Sequence, residues 1–446
     1  MRPLLAACAA LTLCGCGRAS EQATAPRPPL VLLITLDTTR ADRLSCYGYS
    51  RATTPRLDRL AADALLFENA LATSSWTLPS HATLFTGKLG TVHGAGYDAK
   101  GPLSLATALP GAEWERYRAR PLDESERTLA EILKGAGYAT GGVVAGPWLK
   151  KPFGLAQGFD FWDDDQIDST DGRRADRVTD AGLRFVERTT GPAFLFLNYY
   201  DPHGPYDAPE PFARRFLTTE AKLGDGVPKG EELQARYDAE LAFLDEHLGR
   251  MLDGLRGRGL YDAALILITA DHGELLGEHG RIGHGETLSE PELRIPLLIK
   301  YPKAANRGRT RAPAQLSDAL PTVLDALRLE IPQGIQGGVL PKAIHPQVAE
   351  VDPLPETSPA GRWRALYDGS FKFLWNSKGE HQLFDLGRDP GEKQNLFRSE
   401  SERARRLAAG LEGYLAALPK PPASAKGSRA LDAETQKALR SLGYVR

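Results

Sequence analysis

The chain has 446 residues, with 55 Lys+Arg against 57 Asp+Glu and a formal net charge of −2. Hydrophobic residues make up 42% and charged residues 25%, near the average for globular proteins, which excludes collagen-like, wholly disordered and polytopic membrane chains. The near-neutral balance gives no basic stripe and so argues against nucleic acid as a partner; the length suits one large α/β domain with an appendage.

The first elements concern address rather than fold. Arg2 and the apolar run Pro3 to Leu13 are too short to span a bilayer, and Leu13-Cys14-Gly15-Cys16 resembles the lipobox of bacterial lipoproteins. That pattern predicts cleavage before a lipidated Cys16, a tether over residues 17–29, and a protein held by lipid on the bacterial cell envelope, facing the periplasm or the exterior. Of the four cysteines only Cys46 lies beyond this region, so no internal disulfide is expected in the folded part.

From Pro29 the pattern becomes that of a parallel sheet. The apolar run to Leu36 reads as a buried strand ending at Asp37. A helix follows from Thr54-Pro55 through Leu65, and a second is expected to open at Pro79, a residue favoured at the first helical position. Helix and strand then alternate: Leu129 to Lys134, Tyr138 to Val144, Ala175 to Arg188, Ala193 to Leu197, Glu231 to Arg256, Ala263 to Thr269, Ile295 to Lys300 and Ser317 to Leu327. Such alternation predicts an α/β domain over 30–335 with a mainly parallel sheet flanked by helices. Beyond it, prolines from Pro341 to Pro359 mark an irregular crossing. Short antiparallel strands at Trp363 to Tyr367, Phe371 to Asn376 and His381 to Phe384 follow, with turns at Asp368-Gly369 and Lys378-Gly379. A helix to Leu418 completes a C-terminal subdomain over 336–418, and 419–446 reads as a linker and terminal helix.

Polar residues gather where ligands sit in open α/β sheets, just past the C-terminal ends of strands. Asp37 to Asp42 follows the first strand, Asp201-Pro202-His203 follows the strand of Phe194, and Asp271-His272-Gly273-Glu274 follows Thr269, continuing through His279 and His284. Carboxylates and imidazoles converging from three strand ends suit a divalent metal.

The same residues carry a resemblance. Leu32 to Arg43, Cys46-Tyr47-Gly48, Thr54-Pro55 and Asp58-Arg59-Leu60-Ala61 resemble the opening of the sulfatase family, within the alkaline-phosphatase superfamily. Thr77-Leu78-Pro79-Ser80-His81 matches the nucleophile segment, Asp271 to Glu274 and Gly277 to Gly280 a later block, and Leu383 to Leu386 with Asp389-Pro390-Gly391-Glu392 the C-terminal subdomain. The resemblance implies an alkaline-phosphatase-like fold and a metal-dependent hydrolase of sulfate or phosphate-type esters, with an anionic ester as substrate.

Two departures bear on the chemistry. Sulfatases oxidise a Cys or Ser within Cys/Ser-x-Pro-x-Arg to formylglycine; here those positions are Thr77 and His81, so no formylglycine is expected. His272 replaces the usual Asn, and an imidazole ligand points to Zn²⁺ or Mn²⁺ over Ca²⁺; Thr38, in place of a second Asp, points the same way. The resemblance thus implies a metal held by Asp37, Thr77, Asp271 and His272, with Thr77 as nucleophile and His203 and His284 in substrate binding and acid catalysis. Asp201, His203, His279 and His284 are the alternative holders of a second ion. Arg40 either neutralises the anion or pairs with Asp42, with the structural role preferred, and His81 either covers for the absent Arg or supports the helix. Two other readings stand beside hydrolysis: a transferase moving a phosphoryl-type group onto envelope glycans or lipids, and a non-catalytic binding protein that keeps the fold.

Overall fold

A computed structural model describes residues 27–217 and 230–422. The α/β part contains β1 (Leu30–Leu36), α1 (Pro55–Asp63), β2 (Leu65–Leu71), α2 (Thr77–Thr86), α3 (Leu129–Gly135), β3 (Ala139–Val143) and β4 (Phe161–Asp163). It continues with α4 (Ala175–Arg188), β5 (Ala193–Tyr199), α5 (Gly230–Gly257), β6 (Leu265–Thr269), β7 (Arg294–Ile295), β8 (Leu297–Lys300), β9 (Gly308–Gln315) and α6 (Ala319–Ala326). The C-terminal part adds β10 (Gln347–Val351), β11 (Trp363–Asp368), β12 (Phe371–Asn376), β13 (Gln382–Asp385) and α7 (Ser401–Ala417).

Nine strands form the main sheet in the order β7-β2-β8-β6-β1-β5-β3-β4, with β9 paired to β2. The run from β6 to β4 is parallel throughout, whereas β8 runs antiparallel to both β6 and β2. All seven residues of β1 are buried, as expected for a central strand covered on both faces. Its side chains alternate between two cores. Val31 and Leu33 join Phe194 and Phe196 of β5 beneath α2, α3 and α6, while Leu32 and Ile34 join Leu195 and Leu197 beneath α1, α4 and α5. The result is a helix–sheet–helix sandwich whose three innermost parallel strands, β6, β1 and β5, end side by side.

Among the described residues most expected elements are present with small shifts at their ends, and the strand expected over Ile295 to Lys300 is divided at Pro296 into β7 and β8. The first expected helix stops at Asp63, because Leu65 already belongs to β2, a strand the helical spacing of Leu57, Leu60, Ala64 and Leu65 concealed. The proline-rich crossing contains β10, and residues 308–315 form β9, an edge strand whose basic, Pro-containing sequence GRTRAPAQ gives no apolar alternation. The lipobox segment, most of the tether and the expected terminal helix lie outside the described residues.

The C-terminal part is a four-stranded antiparallel sheet, β10 to β13 in order, with α7 on one face. Its other face puts Val351, Trp363, Leu374 and Phe384 into the core of the large sheet. A buried charge cluster pins this junction. Lys372 is 0% exposed and its Nζ donates to Glu290 at 3.0 Å and Glu392 at 2.8 Å, while the Tyr367 hydroxyl donates to Glu290 at 2.6 Å. Burial acts to raise the Glu290 carboxyl, but Lys372 and Arg294 outweigh it and hold the group down at about 2.

Removing one member leaves the others buried and uncompensated, so Lys372→Met should lose about 3–5 kcal/mol in urea unfolding at neutral pH. Because the folded Glu290 carboxyl sits below its ordinary 4.5, its contribution is complete above that value and is lost as pH falls toward 2. Glu290→Gln should therefore flatten the acid limb of the stability profile measured by the same unfolding experiment.

Candidate active site

Adjacent strand ends deliver the polar residues to one place. Asp37 follows β1, its amide donating to Tyr199 O at 2.8 Å at the end of β5. Asp271 and His272 follow β6 in the neighbouring position. Asp37, Asp271 and His272 are each 0% exposed, and each offers a ligand atom within 4.8 Å of the other two. Among the described residues this is the one such grouping of three or more acidic, His or Cys side chains.

Helix α2 supplies the fourth member. It begins at Thr77 with Trp76 as its N-cap, two residues before the expected start at Pro79. Proline is tolerated throughout a first helical turn, whose N–H groups have no intrahelical acceptor, so it does not mark the first residue here. Thr77 is 2% exposed and its Oγ1 lies 3.3 Å from His272 Nε2. The loop before it is tied down by Ser75, whose hydroxyl donates to Thr287 O at 2.6 Å.

The donor set fits a divalent metal. His272 Nδ1 faces its acceptor, Gly273 O, at 2.9 Å, so Nδ1 carries the proton and Nε2 presents a lone pair toward Thr77. Burial pushes the His272 pKa down to about 4, which keeps the ring neutral. Asp37 Oδ2 accepts from Asn198 at 3.3 Å, and Asp271 Oδ1 accepts from the amides of His272 at 2.9 Å and Thr38 at 3.3 Å. The other oxygen of each, Asp37 Oδ1 and Asp271 Oδ2, is buried with no hydrogen-bond partner, as is Thr38 Oγ1. Burial, and next the Asp271 charge, hold the Asp37 carboxyl well above its ordinary range. Two buried carboxylates with unused oxygens beside a neutral imidazole have the composition of a cation site.

The remaining expected residues divide into those near this centre and those elsewhere. The ring of His284 lies 4.4 Å from that of His272 and 5.0 Å from that of His203, which itself stacks on Tyr200 at 4.3 Å. His203 Nδ1 meets Gly204 O at 2.8 Å, and burial with the His284 charge pushes its pKa down to about 4. Burial acts to lower His284 as well, but the Glu274 carboxylate outweighs it and the net shift is upward. His81 lies behind Thr77: its Nδ1 faces Thr77 O at 2.9 Å and its Nε2 meets Thr35 Oγ1 at 3.0 Å. The same Nδ1 lies 3.6 Å from Asp271 Oδ2. Arg40 pairs with Asp42 at 2.8 Å and Glu278 at 2.7 Å and donates to Glu274 O at 3.1 Å.

Two residues suggested for a second ion stand outside the grouping of Asp37, Asp271 and His272. Asp201 Oδ1 accepts from Ala175 N at 2.9 Å at the first turn of α4, and its Oδ2 is buried without a hydrogen-bond partner. His279 is exposed on a turn between Gly277 and Gly280, both with positive φ, and lines a cavity of about 350 Å³ shared with Trp363 and Lys393. Sequence reasoning singled out no role for Asn198, Thr35 or Glu274. The first two were legible as polar residues inside otherwise apolar strands, and Asn198 joins them by donating to Thr35 Oγ1 at 3.2 Å. Glu274 was visible in the Asp-His-Gly-Glu run, but its partners Tyr206 and His284 are 68 and 10 residues away.

The family model described as Sulfatase matches residues 29–329 of the chain. The sequence is 25% identical over 512 residues to the N-acetylglucosamine-6-O-sulfatase of Bacteroides thetaiotaomicron, covering 88% of this chain and 87% of that one. It is 26% identical to an ulvan-active sulfatase of Formosa agariphila, covering 84% and 78%. Among solved structures, the phosphonate monoester hydrolase of Agrobacterium radiobacter aligns with a TM-score of 0.70 at 21% identity, over 88% of this chain and 96% of that one. A protein solved in complex with its substrate D-glucosamine-2-N,6-O-disulfate aligns with a TM-score of 0.68 at 21% identity, over 88% and 98%. Taken with the family match over most of the catalytic part and an alkaline-phosphatase-like sheet, these likenesses identify the chain as a member of the sulfatase family, a hydrolase of sulfuric or phosphoric-type esters.

Proposed function

We propose that the protein is a metal-dependent esterase in which the unmodified Thr77 hydroxyl is the nucleophile, acting on a sulfate or phosphate-type ester. The observation that carries this reading is Thr77 Oγ1 at 3.3 Å from His272 Nε2, beside the unpartnered oxygens of Asp37 and Asp271. Those four residues would hold the ion, and the imidazole in the set favours Zn²⁺ or Mn²⁺. When bound, the ion supplies Lewis acidity that lowers the pKa of the Thr77 hydroxyl and offsets charge on the transferred group.

The chain's own residues provide the rest. Thr77 Oγ, its proton released to solvent, attacks the sulfur or phosphorus in line, the ester oxygen departs with a proton from His284, and His203 binds the transferred oxygens. Water then attacks the same centre, its proton returning to His284, and Thr77 leaves and regains its proton from solvent. Threonine has no second hydroxyl with which to expel the group as an aldehyde, so release depends on that attack, a step well suited to phosphorus. This supports phosphate or phosphonate esters alongside the sulfates acted on by the relatives. The Cys16 segment further supports a lipid-anchored enzyme of the bacterial envelope.

With Zn²⁺ or Mn²⁺ supplied, the protein should hydrolyse members of an aryl sulfate, phosphate and phosphonate panel. Thr77→Ala should reduce kcat by on the order of 10³-fold or more, while Thr77→Ser keeps measurable turnover. Unchanged activity in Thr77→Ala would remove the nucleophile assignment. Mass spectrometry of the active protein should find Thr77 with the mass of plain threonine. Titration calorimetry should find one transition ion per chain, and His272→Asn should shift preference from Zn²⁺ toward Ca²⁺, the harder cation.

A further inference from the structure

The site contains a third buried carboxylate, Glu274, two residues beyond His272 and 1% exposed. Its surroundings differ from those of Asp37 and Asp271 in one decisive way. Each of those has an oxygen with no partner, whereas both oxygens of Glu274 are engaged. Oε1 accepts from His284 Nδ1 at 2.9 Å, and Oε2 accepts from the Tyr206 hydroxyl at 3.0 Å. A carboxylate with its acceptor capacity committed in this way is poorly suited to a metal and well suited to orienting a ring.

We infer that Glu274 is the positioning residue for His284: it fixes the ring so that Nε2 is the atom that faces the ester's leaving oxygen. The inference deepens the hydrolase reading and rests on the acid role given there to His284. With Nδ1 committed to the carboxylate, Nε2 is the position from which a proton can pass. Ring orientation matters because the His284 ring lies 4.4 Å from that of His272 and 5.0 Å from that of His203, beside the proposed metal and substrate groups.

Glu274 is itself held from several sides. Its amide donates to Pro291 O at 3.1 Å, and its carbonyl accepts from Arg40 Nη1 at 3.1 Å. Tyr206, its second partner, packs edge-on against Tyr237 with ring centroids 6.0 Å apart. The Tyr237 hydroxyl in turn donates to Thr38 O at 2.7 Å and accepts from Arg40 N at 3.0 Å. The carboxylate is therefore braced by the same loop that follows Asp37. In the step it supports, the bond between the central sulfur or phosphorus and the ester oxygen breaks, and the electron pair stays on that oxygen. The proton on His284 Nε2 moves to it, and the Nδ1 hydrogen bond to Glu274 persists throughout.

The test compares leaving groups. In the metal-loaded enzyme, Glu274→Leu, which removes the acceptor, should lower kcat about 10–100-fold for an alkyl ester, whose leaving oxygen needs a proton. It should have little effect on a dinitrophenyl ester of the same acid, whose leaving oxygen needs none, and KM should change little for either. Tyr206→Phe, which leaves His284 bonded but loosens its carboxylate, should give a smaller loss with the same dependence on leaving group. Glu274→Gln, which keeps an acceptor oxygen, should recover part of the alkyl-ester activity. Nitrogen NMR of the imidazoles should show His284 protonated at Nδ1 in the wild type and a loss of that preference in Glu274→Leu. Equal losses on both esters with an unchanged imidazole spectrum would overturn the inference while leaving the nucleophile standing. A wild type that cleaves neither ester would instead count against the hydrolase reading itself.

Discussion

Two carboxylates facing the same buried space constrain everything around them. Asp37 and Asp271 end neighbouring strands at zero exposure, each with an oxygen that no protein group satisfies. Burying one such oxygen is costly, and burying two of like charge is costlier, unless a cation shares the site. The fold does not relieve this locally: Asn198 satisfies only Oδ2 of Asp37, and His272 and Thr38 satisfy only Oδ1 of Asp271. On the proposed reading these oxygens are reserved for an ion, whose binding would then be coupled to folding stability.

That reservation explains the distribution of roles among nearby groups. His272 donates from Nδ1 to a backbone carbonyl and turns Nε2 to Thr77, whereas His81, equally buried, engages the Thr77 carbonyl and Thr35 Oγ1. Arg40, the cation nearest the Asp37 loop, is neutralised by Asp42 and Glu278 and so does not compete for the two carboxylates. The Ser75–Thr287 hydrogen bond connects the loop before Thr77 to the segment that carries His284. Further out, the Lys372 cluster fastens the C-terminal sheet to the short helical turn Glu290–Leu293, whose Glu292 carbonyl accepts from Gly273 N at 2.7 Å.

Much of this architecture was legible in the residues. An apolar run such as LVLLITL admits little but a doubly covered strand, and the acidic residues at the ends of three such runs pointed to one cleft because parallel strands share their C-terminal edge. What escaped was information carried by pairing rather than by type. β9 reads as loop because its stability comes from its ladder with β2, not from apolar alternation. The beginning of α2 was misread because proline reports a first turn, not a first residue. His279 and Glu274 sit in one segment, and nothing in their spacing tells which turns inward. Left-handed backbone at Gly277, His279 and Gly280 accompanies the exposure of one, and the carboxylate of the other meets Tyr206 only through the tertiary fold.

Hydrolysis through Thr77 proceeds by way of a covalent bond to its Oγ in the proposed mechanism. Rapid quenching of the metal-loaded enzyme with a slow aryl ester, followed by peptide mass spectrometry, observes that bond directly. The account predicts the sulfuryl or phosphoryl group on Thr77 during turnover, and no adduct in Thr77→Ala. Turnover with Thr77 unmodified throughout, or an adduct on another residue, would contradict it.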